Sequence, residues 1–551
     1  MKEMVLLGDE AIALGALHAG VSASFGYPGT PSTEILEYLV DTYERSGGPV
    51  ARWCANEKTA YENALGVSFS GKRSIVTMKH VGLNVAADPF MNSSLCQIKG
   101  GLICVVADDP SMHSSQGEQD TRFYADFAMV PLFEPINQQE AYEMMGEAFE
   151  VSERFQVPVI MRLVTRLSHS RALVRVSPTA RAENTLAKGS ASDWMLLPAL
   201  ARKNYEKMIH KQDGLLAWST AYTRNTLTLN PRRSDIAIIT SGLGKNYFEE
   251  NRADFADMCG DAGVPSMLHV ATMPLPVDSI RKLADSAETI LVIEEGMPFI
   301  EKQLRGLVPG KNRITGKFDG LLPRAGELNP DSVRKALGLP VRTSVQDGRG
   351  IPELPARPPQ LCKGCPHHDS YTALNQAVAI LNEREGAVST VVAADIGCYA
   401  LGAVAPLKAI ETIVCMGASI GMARGASDAG YKYTFGVIGD STFLHSGLTG
   451  LVDAVSSNTP MTVIILDNSI VAMTGCQPTM LPSNQLEKAV LGIGVDPSHV
   501  RVIEAKPNMI EENTRIILEE AEYRGVSVLI FVRECLEAVR IRKKKEAVKN
   551  V

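Results

Sequence analysis

No stretch of this sequence stays apolar over the ~18–20 residues that a bilayer-spanning helix needs, and no part of it has the biased composition of disorder. The N-terminus, MKEMVLLGDEAIALG, puts Asp9 and Glu10 where a secretory leader needs an uninterrupted apolar run. Positive charge is not in excess either. Against 62 Asp and Glu stand 55 Lys and Arg, a formal net charge of −7, which argues against a general nucleic-acid binder. The expectation is a cytoplasmic protein with no nucleic-acid or membrane partner. What the chain does have is 551 residues, too many for a single core, and ten cysteines. Cytoplasmic thiols stay reduced unless they bind something or do chemistry, so the ten pose a question.

Short apolar runs rich in β-branched residues alternate with longer amphipathic stretches from end to end. GLICVVAD (101–108), VPVIMRL (157–163), IAIITSG (236–242), TFGVIGD (434–440), MTVIILDN (461–468) and VSVLIFV (526–532) are examples. Runs without polar alternation suit strands covered on both faces, so the fold class is α/β with parallel sheets. Residues 171–233 lose the alternation and read as an irregular connection. Residues 339–360, rich in Pro, Gly and charge, read as a linker. The expected domains are therefore 1–170, 234–338 and 361–551. The RIRKKK segment near the C-terminus reads as a solvated helical tail.

Chemistry concentrates in the third domain. Gly439, Asp440 and Ser441 follow one expected strand, and Asp467, Asn468 and Ser469 end the next. The ~28-residue spacing is one βαβ unit, which brings a carboxylate and an amide to the carboxyl edge of a parallel sheet. An Asp, an Asn side chain and a backbone carbonyl just beyond suit Mg²⁺ holding a diphosphate. Gly417 opens a small-residue turn into a helix, fit for close approach of a cofactor. Taken alone, such dipeptides also mark plain turns.

Cys362 and Cys365 form a CxxC pair, and Cys398 and Cys535 stand at expected strand ends in the same domain. Four thiolates select Zn²⁺ or an iron–sulfur cluster, and four reduced cysteines packed as small hydrophobes are the plain alternative. Cys476 rivals Cys535 as the fourth thiol. The other five cysteines have no metal-ligand spacing and read as packing.

These strings, with GYPGTPSTEI (26–35), NEKTAYENALG (56–66), MKHVGLNVAADP (78–89), LCKGCPHH (361–368), ADIGCYALG (394–402) and LDNSIVAMTGCQP (466–478), resemble the 2-oxoacid:ferredoxin oxidoreductases. The likeness is to the alpha subunit of the indolepyruvate (arylpyruvate) ferredoxin oxidoreductase family. It implies thiamine diphosphate-binding domains at both ends of the chain, with a smaller domain like the transketolase C-terminal one between them. It implies Glu57 as the carboxylate beside the aminopyrimidine, and Asp440, Asn468 and the Ile470 carbonyl as Mg²⁺ ligands. Gly417, Gly439 and Ser441 would line the cofactor. Thr30, beside Pro31, would lie near the substrate carboxylate, although a helix cap and nothing more is an equal reading. His80 would hydrogen-bond substrate, or be a buried structural histidine, and His113 and Arg122 are further candidates. Cys362, Cys365, Cys398 and Cys535 would hold one [4Fe–4S] cluster.

The implied activity is oxidative decarboxylation of an arylpyruvate, with coenzyme A as co-substrate and ferredoxin as acceptor; a non-oxidative thiamine-dependent decarboxylase or carboligase is the alternative. The implied partners are a smaller beta subunit, in an (αβ)₂ assembly, and ferredoxin or a ferredoxin-like subunit. The last expectation follows because the family's C-terminal CxxCxxC runs have no counterpart here. Lys363 and His368 stand where the family usually has Pro and Arg, which leaves the substrate open.

Overall fold

The computed structural model describes residues 2–232, 234–260, 263–308, 310–340, 359–386 and 389–549. The chain divides into two compact units, residues 1–350 and 351–551.

The first unit is built on a seven-stranded sheet in the order Thr272–Met273, Leu132–Phe133, Val159–Val164, Leu102–Asp108, Ser74–Lys79, Ala23–Gly26, Val50–Trp53. Its neighbours run parallel except at the Thr272–Met273 edge. Every residue of the three central strands is buried, which is why their sequences are apolar without alternation. Helices Gly8–His18 and Gln138–Phe155 pack on one face with Ile75, Ile103 and Val105. Helix Glu57–Phe69 packs on the other with Val76, Cys104 and Val106.

A five-stranded sheet follows in the order Arg313–Thr315, Thr289–Ile293, Ile236–Ser241, Ser266–Val270, Thr226–Thr228, antiparallel only at its last member. The two sheets of this unit share apolar cores, Val106 clustering with Ile239 and Val292. Buried polar contacts also join them: Arg122 Nη1 donates to Glu294 at 2.7 Å, and Arg162, paired within its own sheet with Asp108 at 2.7 Å and with Glu134, donates to the Glu295 carbonyl at 3.3 Å.

The irregular connection expected at 171–233 is not what forms. Arg171–Val176 pairs antiparallel with Lys2–Leu7, Pro198–Ala221 is a 24-residue helix, and Thr226–Thr228 joins the five-stranded sheet. Most of the expected linker, residues 341–358, lies outside the described residues.

The second unit is a wholly parallel six-stranded sheet, in the order Thr412–Ile413, Thr390–Ala394, Tyr433–Gly439, Met461–Asp467, Val526–Val532, Val500–Glu504. Its carboxyl edge carries the residues of interest. The basic tail lies in helix Leu536–Lys549. Among the described residues, no helix is long and apolar enough to cross a membrane.

Candidate functional site

Strand register decides the second unit's chemistry. Gly439 lies opposite Leu466, so the next residues along, Asp440 and Asp467, leave the sheet side by side. Both are buried, as is Asn468. The Asp440 carboxylate accepts from the Ser441 and Ser469 backbone amides, each at 2.8 Å. The Ser469 amide also donates to Asp467 at 3.0 Å. Burial, and then the Asp467 carboxylate, push the Asp440 carboxyl well above the usual range. Asp467 Oδ2 is buried and accepts no hydrogen bond. Two adjacent buried acids with an oxygen left unanswered fit a divalent cation. Asp467 was not among the ligands expected from sequence. Ile470 lies opposite Pro478, which has no N–H to donate to its carbonyl.

Asn468 is held from two sides. Its amide Nδ2 lies 3.1 Å from His367 Nε2, and its Oδ1 accepts from the Ile470 amide at 3.1 Å. Burial and then Arg533 lower the His367 imidazole to about 4, so it stays neutral and accepts.

Gly417 adopts φ +90°, and a β-carbon there would lie 2.6 Å from that of Ser446, so only glycine fits. The helix it opens, Ala418–Asp428, has its amide end answered by the chain's own Asp395. Ser419 donates to that carboxylate from its amide at 2.8 Å and from its hydroxyl at 2.6 Å.

The cysteines gather beside this edge. The Cys535 amide donates to the Asn468 carbonyl at 3.3 Å. Burial pushes the Cys398 thiol up to about 12, with Cys365, Cys535, Cys362 and Cys476 adding to it in that order. Thiol side chains near enough to act on Cys398 are a donor set of the kind that holds a thiolate-bound metal centre. Arg533 fastens the set, donating to Asp369 and to the Gly364 carbonyl inside the CxxC loop, each at 2.5 Å. Neither Arg533 nor His367 carried a sequence signal.

In the first unit, Glu57 begins helix Glu57–Phe69 and is buried, with Asn56 capping the helix by accepting from the Thr59 amide. Gly82 lies so close that a β-carbon would sit 2.6 Å from Glu57 Oε1. His80 Nε2 lies 3.1 Å from the Gly117 carbonyl, whereas its Nδ1 is buried without a partner. Burial lowers this imidazole, so it is neutral. Thr30 is tied to the loop after strand Leu102–Asp108, its carbonyl accepting from Ser114 Oγ at 3.0 Å. Lys79, which sequence reasoning passed over, reaches the same Ser114 through its carbonyl at 3.0 Å. Burial lowers this ammonium to about 8 against the opposing pull of Asp109 and Glu57. Arg122 does not serve as expected. It is fully buried and its guanidinium is committed to Asp120, Glu294 and the Glu295 and Met297 carbonyls. His113 is exposed, 3.3 Å from Glu327.

Comparison with known proteins places the chain in a family. Residues 14–196 match the family model "Pyruvate flavodoxin/ferredoxin oxidoreductase, thiamine diP-bdg", and residues 395–508 match "Thiamine pyrophosphate enzyme, C-terminal TPP binding domain". The indolepyruvate oxidoreductase subunit IorA of Archaeoglobus fulgidus is 34% identical over 97% of this chain and 86% of its own length. That of Methanothermobacter marburgensis is 36% identical over 97% and 87%. The chain belongs to the IorA family. This IorA-family protein is thus an oxidoreductase of the thiamine diphosphate-dependent 2-oxoacid class. Its fold is shared with the 2-oxoglutarate:ferredoxin oxidoreductase of Magnetococcus marinus, solved with 2-oxoglutarate, coenzyme A and succinyl-CoA. The TM-score is 0.50 at 16% identity, over 61% of this chain and 65% of that one.

Proposed function

We propose that this chain is the catalytic subunit that converts an arylpyruvate, such as indolepyruvate or phenylpyruvate, to the aryl-acetyl-CoA. The bond between the carboxylate and the keto carbon breaks and CO₂ leaves. A bond from the keto carbon to the coenzyme A sulfur forms, the thiol proton is released, and two electrons pass singly to two ferredoxins. A single observation carries the reading. At one sheet edge, the buried Asp440–Asp467–Asn468 group and the cysteine group are joined through Asn468 and Cys535.

In this reading Asp440, Asn468 and Ile470 hold Mg²⁺ and the diphosphate, with Asp467 assisting. Cys362, Cys365, Cys398 and Cys535 hold a [4Fe–4S] cluster. Thiamine diphosphate supplies the nucleophilic carbon and the electron sink, chemistry no side chain provides. Glu57 would present its carboxylate to the aminopyrimidine from a buried helix start. Thr30 and Lys79 orient the substrate carboxylate, and His80, whose Nε2–H is given to the Gly117 carbonyl, presents Nδ1 there as a hydrogen-bond acceptor. A smaller beta subunit in an (αβ)₂ assembly and a ferredoxin-type carrier complete the enzyme, which works in the cytoplasm.

The test is anaerobic purification with the co-purifying partner, then turnover across a 2-oxoacid panel with a viologen acceptor. The expected result is ~400 nm absorption, bound iron, and CoA-dependent viologen reduction fastest with arylpyruvates. Glu57→Gln should lower kcat by roughly 10²–10⁴-fold, the range of a positioned proton-transfer group. Aldehyde formation without acceptor or CoA, or turnover dominated by pyruvate or 2-oxoglutarate, overturns the assignment.

A further inference from the structure

Three helix ends of the first unit converge on groups that none of the chemistry above uses. The first turn of Gly8–His18 brings Asp9, the first turn of Thr33–Ser46 brings Glu34, and the last turn of Thr165–His169 brings His169. One ligand atom from each lies within 4.8 Å of the other two. The close approach rests on Gly8, where a β-carbon would lie 2.2 Å from the Leu167 carbonyl oxygen.

Asp9 is fully buried and neither carboxylate oxygen accepts a hydrogen bond. That is a costly state for an acid. Glu34 Oε2 is buried and faces His169 Nε2 at 3.5 Å, and the hydroxyl of fully buried Ser168 makes no hydrogen bond within 3.5 Å. Burial first, and then Glu34, hold the Asp9 carboxyl well above its ordinary range, whereas His169 draws Glu34 down. The protein has thus placed two acids and an imidazole around one point and left the deepest of them, beside Ser168, without a well-formed hydrogen bond.

We propose that Asp9, Glu34 and His169 form a binding site for one divalent first-row cation. A mixed set of two carboxylates and one imidazole suits Mn²⁺ or Zn²⁺, whereas Mg²⁺ and Ca²⁺ favour oxygen throughout. Ligands at 2.0–2.2 Å from a shared ion are at most about 4.4 Å apart, so the observed spread closes with small side-chain movement. The role is structural. Glu34 lies one turn beyond Thr30, in a loop already closed by the Gly29 amide donating to Thr33 Oγ1 at 3.0 Å and by Ser32 Oγ donating to the Gly29 carbonyl at 2.8 Å. The ion would clamp that loop's helix to the two others.

Mn²⁺ is the probe, because reduced thiols bind it poorly, and the full-length chelator-stripped chain is used on an Asp440→Asn background to silence the other acidic group. Electron paramagnetic resonance of unbound Mn²⁺ should show one equivalent taken up, and the melting temperature should rise with it. Adding Asp9→Asn or His169→Ala should abolish both effects. His169 is partly exposed, so its variant is expected to fold, which circular dichroism checks. Equal uptake with and without His169→Ala overturns the proposal. So does the absence of uptake by the Asp440→Asn chain, which would leave Asp9 and Glu34 as a pair sharing a proton.

Discussion

His367 holds the amide of Asn468, its Nε2 lying 3.1 Å from Asn468 Nδ2. The contact decides which way the amide points. With Nδ2 spent on the imidazole, Oδ1 faces the turn that leads to Ile470, where it accepts from that residue's amide. This orientation is what a cation ligand requires, and partners that orient metal ligands are typically worth roughly 10–100-fold in affinity. His367→Leu is therefore expected to weaken Mg²⁺–thiamine diphosphate binding by that factor, read by calorimetry. His368→Leu, next to it but half exposed, should leave the affinity alone. Equal affinities for all three proteins would remove His367 from the site.

Asp395 gives a stability prediction with a definite sign. Burial raises its carboxyl from the ordinary 3.8 to about 6, in spite of the hydrogen bonds from Ser419. Between those values the folded chain keeps a proton that the unfolded chain has lost, so stability falls as pH rises from about 4 to about 6. Below that window both states are protonated, and above it the penalty is constant. Asp395→Asn carries no titrating proton there. The variant's stability relative to wild type should improve by about 3 kcal/mol across the window, at about 1.4 kcal/mol for each pH unit that separates the two values. Denaturant melts of the two proteins at pH 4, 5, 6 and 7 measure it, and parallel curves would refute it.

How far the sequence carries can be seen in the same residues. Asp440 and Asn468 were legible because strand ends are marked by unbroken apolar runs, and Glu57 only through the resemblance of the NEKTAYENALG string. Asp467 was in plain view in its motif, yet its pairing with Asp440 depends on strand register, which no local pattern reports. His367 and Arg533 act on partners more than a hundred residues distant. The helix Pro198–Ala221 was missed for another reason. It buries only Asn204, Met208, Leu215 and Ser219, a stripe too narrow and too polar to show the helical period. Arg122 is spent on Asp120 and on Glu294, Glu295 and Met297, the last three coming from the loop beyond a strand of the other sheet, which no local pattern reports.

The choice of fourth thiol for the proposed cluster turns on the same kind of long-range placement. Cys535 is fixed by the hydrogen bond its backbone amide donates to the Asn468 carbonyl, and it acts on Cys398 more strongly than Cys476 does. After anaerobic reconstitution, Cys535→Ser is expected to retain less than half the wild-type iron and acid-labile sulfide, and Cys476→Ser to retain all of it. Arg533→Leu should fall between them, since it frees the CxxC loop at Gly364 without removing a ligand. Full iron in Cys535→Ser with loss in Cys476→Ser would exchange the two assignments.

Lys79 supplies a pH dependence on substrate rather than on stability. Its ammonium is lowered to about 8 by burial and stands beside the Thr30 loop through Ser114. If it meets the 2-oxoacid carboxylate, the binding form is the protonated one, present below pH 8 and lost above it. KM should then be flat to about pH 8 and climb roughly tenfold per unit beyond, because the charged fraction falls tenfold per unit. Lys79→Arg keeps its charge throughout and should abolish the climb, even where the larger guanidinium raises KM overall. Lys79→Met should show a high KM at every pH, with no break near 8. Steady-state assays of the three proteins from pH 6.5 to 9.5 separate this from a packing role, in which Lys79→Met would lower stability and kcat while preserving the wild-type break in KM.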